Sequence, residues 1–402
     1  MRAKSRFFVL LPAIVVAMLL TGCSYRYKCS TTFGSSSCTP SGGGIGGGGG
    51  NGGGGGASLA AFVYYADDNA GTINAISLDT TSNFLPISGF ASPTFTSDID
   101  GGMKIVNSKF LYLNLIIAGE VLAYSINHTD GSLTPVVGGP FVGPAGISIA
   151  SDPAGKFLFV GDENGIDVWA YTINQTTGAL STVPGSPFAY TGPFFDRMTV
   201  DGKGKFLYGS GFQGSSVAAF SIDQSTGALT AVPGSPFTFN IQDVKGEASG
   251  KYLVGVSGQT GVGGTIVDDH IYVFAIDQVT GAISQVSGSP FATTSAPFGL
   301  VVSPNGNFVY TFNENTGGSL DPIEGYGINS TTGALTAVTG SPFTGLLPYP
   351  GICFFEETGT ELFCHPDFDF SVLNASVTTG TMTQTITGQS VSSNFSYAVT
   401  DQ

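Results

Sequence analysis

A tetrapeptide ending in Pro-Phe returns along this chain at an almost fixed interval. Gly185-Ser186-Pro187-Phe188, Gly234-Ser235-Pro236-Phe237, Gly288-Ser289-Pro290-Phe291 and Gly340-Ser341-Pro342-Phe343 are near-identical copies. Gly138-Gly139-Pro140-Phe141 is a close variant, and Ser88-Gly89-Phe90 and Gly388-Gln389-Ser390 are worn ones. Each follows a turn of the Thr-Gly-Ala-Leu kind, at Gly131, Gly178, Gly227, Gly281, Gly333 and Gly380, with Asn83 in the first copy. Successive glycines are 47, 49, 54, 52 and 47 residues apart, by subtraction of those numbers. A β unit of this size cannot bury its apolar face alone, so it stacks on its neighbours. A period of about fifty in β-rich sequence predicts a propeller or a solenoid of sheets. Seven copies predict seven blades.

The third copy shows how one repeat makes four antiparallel strands. Gly146 to Ser151 alternates as an innermost strand, and Asp152-Pro153-Ala154-Gly155 supplies turn chemistry. Lys156-Phe157-Leu158-Phe159-Val160 reads as a second strand, apolar on both faces because both meet neighbouring blades. Val168 to Ile173 and Ala179 to Val183 are the third and fourth strands, after which Gly-Ser-Pro-Phe is expected to leave the sheet edge. The first copy lacks an innermost strand, whereas Phe395-Ser396-Tyr397-Ala398-Val399 is one with nothing after it. The two ends are therefore expected to share a blade, closing the ring by pairing of the N- and C-terminal strands and removing open edges.

The N-terminus reads as an export signal. Arg2, Lys4 and Arg6 precede an apolar run, Phe7 to Leu20, that is short for a membrane span. It ends Leu20-Thr21-Gly22-Cys23, which resembles a bacterial lipobox and implies lipid attachment at Cys23. Residues 42–56 are glycine except Ile45 and Asn51, a composition that cannot offset its ordering entropy. The organisation expected is a lipoprotein signal peptide (1–22), a lipidated cysteine with a Gly-rich tether (23–57), and a propeller (58–402). An envelope location, lipid-anchored to a membrane, is expected, as is a monomer. A formal net charge of −15 argues against nucleic acid as a partner. The remaining cysteines permit two disulfides, Cys29–Cys38 and Cys353–Cys364, or one, or none. The second of these requires a register that puts both thiols on one face of a hairpin.

Ser303-Pro304-Asn305-Gly306-Asn307-Phe308-Val309-Tyr310 followed by Asn313-Glu314, with the Thr-Thr-Gly-Ala-Leu-Thr turns, resembles the seven-bladed lactonase-type propellers over residues 60–402. That group includes the 6-phosphogluconolactonase-like and muconate-lactone-enzyme-like propellers. The resemblance implies a site at the mouth of the central channel, with histidines at the start of innermost strands. None of His128, His270 and His365 falls there. Two functions follow. One is a non-catalytic scaffold of the envelope that binds a protein or small ligand on the propeller face. The alternative is a lactone hydrolase acting on an anionic or sugar lactone.

For the hydrolase, Arg197 is the candidate clamp for an anion, since it is the only arginine after Arg26 and its planar fork matches oxyanions. Glu314 or Glu163 would position water or take a proton. Asp162, Asp196, Asn313, Asp98 and Asp100 are further ligand-binding candidates on the same expected face. Asp268-Asp269-His270 and His365-Pro366-Asp367 carry metal-binding residue types but no ligand set at zinc spacing. No metal and no cofactor are expected.

Overall fold

A computed structural model describes residues 59–401, except 68–69, 80–83, 88, 96–101, 163–166, 191–194, 196, 212–215, 258–267, 313–321, 347–351, 357–358, 366–368 and 391–394. The signal, the tether, Cys23, Cys29 and Cys38 lie outside the described residues.

The described strands form seven separate antiparallel sheets. The second blade is typical, running outward through Met103–Val106, Phe110–Leu115, Glu120–Ile126 and Leu133–Pro135. The third, fourth, fifth, sixth and seventh blades begin with innermost strands Gly146–Ser151, Arg197–Val200, Asp243–Gly246, Gly299–Val302 and Ile352–Phe355. The first blade takes Leu59–Asp67, Thr72–Asp79 and Phe84–Pro86 from the N-terminal side and Phe395–Asp401 from the other end, with Tyr64 opposite Val399.

Two expectations need correction. Every sheet carries a path of four strands, and in the second, third and fifth a further short strand pairs back onto the third. These short strands, Phe141–Val142, Phe188–Ala189 and Phe291–Ala292, contain the Phe of the recurring tetrapeptide. The tetrapeptide therefore does not simply leave the edge. Its Ser Oγ accepts the N–H of Ala170, Ala219, Val273 or Gly325 at 2.9–3.0 Å, and its Phe pairs further along the same strand. Both contacts satisfy edge groups that would otherwise be unpaired. Nor does pairing of the chain ends produce one closed sheet. It completes a single blade, and among the described residues no ladder runs from one sheet into the next.

Side chains join the blades instead. Seven apolar clusters each straddle two neighbours, from Phe62 and Tyr64 against Leu111 through Tyr252 and Val254 against Val309. The last sets Val63 and Leu78 of the first blade on Phe363 and Val372 of the seventh. The Thr-Gly turns key into these clusters. A Cβ on Gly178 would lie 2.5 Å from Phe110 Cδ1, and Gly131, Gly227, Gly281, Gly333 and Gly380 meet an aromatic ring of the preceding blade in the same way. Beside them, the hydroxyls of Tyr64, Tyr112, Tyr208 and Tyr310 donate to the carbonyls of Gly131, Gly178, Gly281 and Gly380 at 2.8–2.9 Å. In the seventh blade Cys353 and Cys364 stand directly opposite and are joined by a disulfide.

A cationic channel mouth as candidate functional site

Along an innermost strand alternate side chains face the axis, so residues i and i+2 of these strands build the channel wall. A cavity of about 180 Å³ lies there, lined by Met103, Ile147, Arg197, Asp243, Gly299 and Cys353 from six different blades. Lys245, Phe298 and Phe312 are also in its wall.

Each charged strand start is held by a buried anchor two residues earlier. Phe195 is 1% exposed, stacks on Tyr190 at 4.3 Å, and sits where a Cβ on Gly209 would be 2.2 Å from its ring. Its carbonyl accepts the Ser148 hydroxyl at 2.9 Å, which ties the entry to Arg197 to the third blade. Ile241 is fully buried against Gly255, and the Gln242 carbonyl accepts the Ser210 hydroxyl at 2.8 Å. Second strands containing Gly209 and Gly255 thus make room for the anchors that aim Arg197 and Asp243.

Asp243 is the organising acid. Its Oδ1 accepts from Lys245 Nζ at 2.8 Å, and its Oδ2 accepts the Leu300 N–H of the next blade at 3.3 Å. Its side chain is 8% exposed and that of Lys245 33%. Among the described wall residues the formal charge is two positive (Arg197, Lys245) less one negative (Asp243), or +1, in a chain of net −15. In a concave, partly desolvated site these charges act more strongly than on the open surface. The arrangement can hold an anion or polarise a carbonyl oxygen beside a carboxylate able to accept a proton.

Of the residues proposed from sequence, Arg197 lies in this wall. Asp162 ends a second strand opposite Gly146 and is not part of it. Its charge, after burial, helps raise the carboxyl of Asp167 above the usual range. Glu163, Glu314, Asn313, Asp196, Asp98 and Asp100 lie outside the described residues. Sequence reasoning missed Asp243 and Lys245. The signal was available, as two opposite charges two apart on an innermost strand, just before the Glu247-Ala248-Ser249-Gly250 turn.

Residues 60–194 match a family described as "Lactonase, 7-bladed beta-propeller". This narrows the family-level likeness from the expected 60–402 to 135 of 402 residues (194 − 60 + 1). No curated protein matches the chain. Solved structures similar to it include provisionally assigned 6-phosphogluconolactonases from Bacteroides uniformis ATCC 8492 and Bacteroides fragilis NCTC 9343. They are 14% and 16% identical, each with a TM-score of 0.64 over 85% of this chain and 99% and 98% of theirs. The Pseudomonas aeruginosa periplasmic gluconolactonase PpgL is 13% identical, with a TM-score of 0.64 over 86% of this chain and 99% of its own. At such identities the likeness shows the fold alone. The fold is that of the lactonase-type β-propellers.

Proposed function

We propose that the channel mouth hydrolyses a small lactone. The observation that carries this reading is the convergence of Arg197, Lys245 and Asp243 in one cavity wall. Ring opening needs a base for the attacking water and positive charge where the carbonyl oxygen becomes an oxyanion. Asp243 takes a proton from water as its oxygen adds to the lactone carbonyl. Arg197 and Lys245 stabilise the oxyanion, the ring C–O bond breaks, and the proton passes to the departing ring oxygen. The product is a hydroxy acid whose carboxylate suits the same cations. A cavity of about 180 Å³ is below the roughly 300–1,000 Å³ of drug-sized sites and fits a single small ring. The shared fold with PpgL and the two Bacteroides proteins supports the same reaction class.

Cellular location belongs to the proposal too. The Arg2–Arg6 region, the apolar run and Leu20-Thr21-Gly22-Cys23 support export and lipid anchoring in the envelope. Phosphorylated intermediates are kept inside cells, so a plain sugar lactone is favoured over a phosphorylated one.

The test is hydrolysis of a panel of sugar lactones followed by pH-stat, with Arg197→Ala in parallel. Turnover by the wild type, reduced about 10²–10³-fold in the variant as for loss of one oxyanion donor, is the expected result. No turnover by folded wild-type protein would overturn the hydrolase and leave a binding scaffold.

A further inference from the structure

A second group of side chains converges where the chain enters the third strand of the fifth blade, His270–Ile276. Nδ1 of His270 lies 2.5 Å from Asp268 Oδ1 and 3.0 Å from Asp269 Oδ1, and the three atoms fall within 4.8 Å of one another. Consecutive side chains inside a strand point to opposite faces. Asp268 and Asp269 precede the strand, which frees both to turn toward the imidazole.

Contacts from outside the trio hold it in place. The Tyr272 hydroxyl donates to the other oxygen of Asp268. The Thr293 N–H and hydroxyl both donate to the Asp269 carbonyl, at 2.8 and 2.6 Å. His270 itself is paired in the sheet with Ala292. Ligating carboxylates are characteristically fixed by such outer hydrogen bonds.

The three atoms make an incomplete hydrogen-bonding set. One imidazole nitrogen faces two carboxylate oxygens but carries at most one proton to share between them. A divalent ion in place of that proton would engage all three. Ligands about 2.0–2.2 Å from a tetrahedral ion are roughly 3.3–3.6 Å apart, so the two separations from the imidazole nitrogen need to open by about 1 Å at most. Calcium and magnesium take all-oxygen sets, whereas imidazole with carboxylate suits zinc and its neighbours. The side chains of His270 and Asp269 are 35% and 60% exposed, so an ion can reach them from solvent.

We propose that Asp268, Asp269 and His270 form a binding site for a divalent transition metal of the zinc type. This site is independent of the lactone reading, since none of its residues lines the channel cavity.

The full chain, stripped of metal, is titrated with Zn²⁺ by calorimetry and with Co²⁺ by visible absorption. One equivalent per chain is expected, with Kd weakened at least tenfold in both His270→Ala and Asp269→Asn and unchanged in His128→Ala. Asp269 is exposed, so Asp269→Asn keeps the test valid if the histidine variant fails to fold; far-UV circular dichroism and a thermal melt establish this. Absence of stoichiometric binding by the wild type overturns the proposal. So does binding that survives unchanged in a folded Asp269→Asn or His270→Ala.

Discussion

Replacing Gly178 by alanine tests whether the blades are held together by their turn glycines. Gly178 has φ +76°, a left-handed conformation that costs an L-residue about 1–2 kcal/mol. The added Cβ would lie 2.5 Å from Phe110 Cδ1, 2.7 Å from Cε1 and 3.0 Å from Cγ. The ring is 4% exposed and cannot swing into solvent, so overpacking adds about 1–3 kcal/mol. The turn cannot back away freely either. The Tyr112 hydroxyl donates to the Gly178 carbonyl at 2.8 Å, and losing that bond costs about 0.5–1.5 kcal/mol. The expected destabilisation is about 2–5 kcal/mol, from the backbone and packing terms together. Gly89→Ala is the control, because its φ is +74° and a Cβ there would meet no atom within 4 Å. It should cost only the backbone share, about 1–2 kcal/mol. Urea unfolding followed by Trp169 fluorescence reports directly, as Trp169 is the only tryptophan and lies in the same blade as Gly178. Coincident transitions by circular dichroism establish that the midpoints are comparable. If Gly178→Ala lies within about 0.5 kcal/mol of Gly89→Ala, the interblade contact is not what requires the glycine.

Three further outcomes follow from the same geometry. Asp243→Asn keeps an acceptor for Leu300 but raises the formal wall charge from +1 to +2. It should lower lactone kcat/KM about 10²–10⁴-fold while inhibition by a hydroxy-acid product becomes no weaker, as inhibition assays will show. Asp201 is fully buried, and burial raises its carboxyl above 3.8 despite backbone N–H donors from Lys203, Lys205 and Phe206. A raised folded pKa gives a contribution present in full below the unfolded value and lost as pH rises through the folded one. The Tm difference between wild type and Asp201→Asn should therefore shrink as pH is raised from 3.8, and a constant difference refutes the assignment. Breaking the Cys353–Cys364 bond, which spans a separation of 11 residues, should cost about 3 kcal/mol. Dithiothreitol should lower the Tm of the wild type but not that of Cys353→Ala/Cys364→Ala.

What was legible in the sequence follows from where local chemistry decides structure. The Thr-Gly turns and the Asp-Pro-Ala-Gly turn could be read because the needed backbone angles restrict the residue choice. The Asp152 carboxylate, for example, accepts the Ala154 and Phe157 N–H groups across its turn. The return of Gly-Ser-Pro-Phe to the third strand could not be read, because a proline at an edge is compatible with leaving or staying. What decides is the Ser186 hydroxyl meeting the Ala170 N–H sixteen residues away. At the site, Arg197 stood out through its rarity. Asp243 and Lys245 did not, because charge in the loops of a mouth face is visible as loop composition, whereas the cavity wall is made by alternate positions of innermost strands.

The distribution of basic residues sharpens this point. After residue 57 the chain has eight: Lys104, Lys109, Lys156, Arg197, Lys203, Lys205, Lys245 and Lys251. Lys109, Lys156, Lys203, Lys205 and Lys251 fall at or in the turns between first and second strands. The other three, Lys104, Arg197 and Lys245, are all on innermost strands, and none of the eight is on a third or fourth strand. Of these three, Arg197 and Lys245 line the cavity whereas Lys104, which alternates with Met103, does not, so it is those two that raise the potential there in a chain of net charge −15. Such a placement draws anions toward the axis and disfavours cations there. In the proposed hydrolase, Arg197 and Lys245 are the wall cations that would meet the oxyanion.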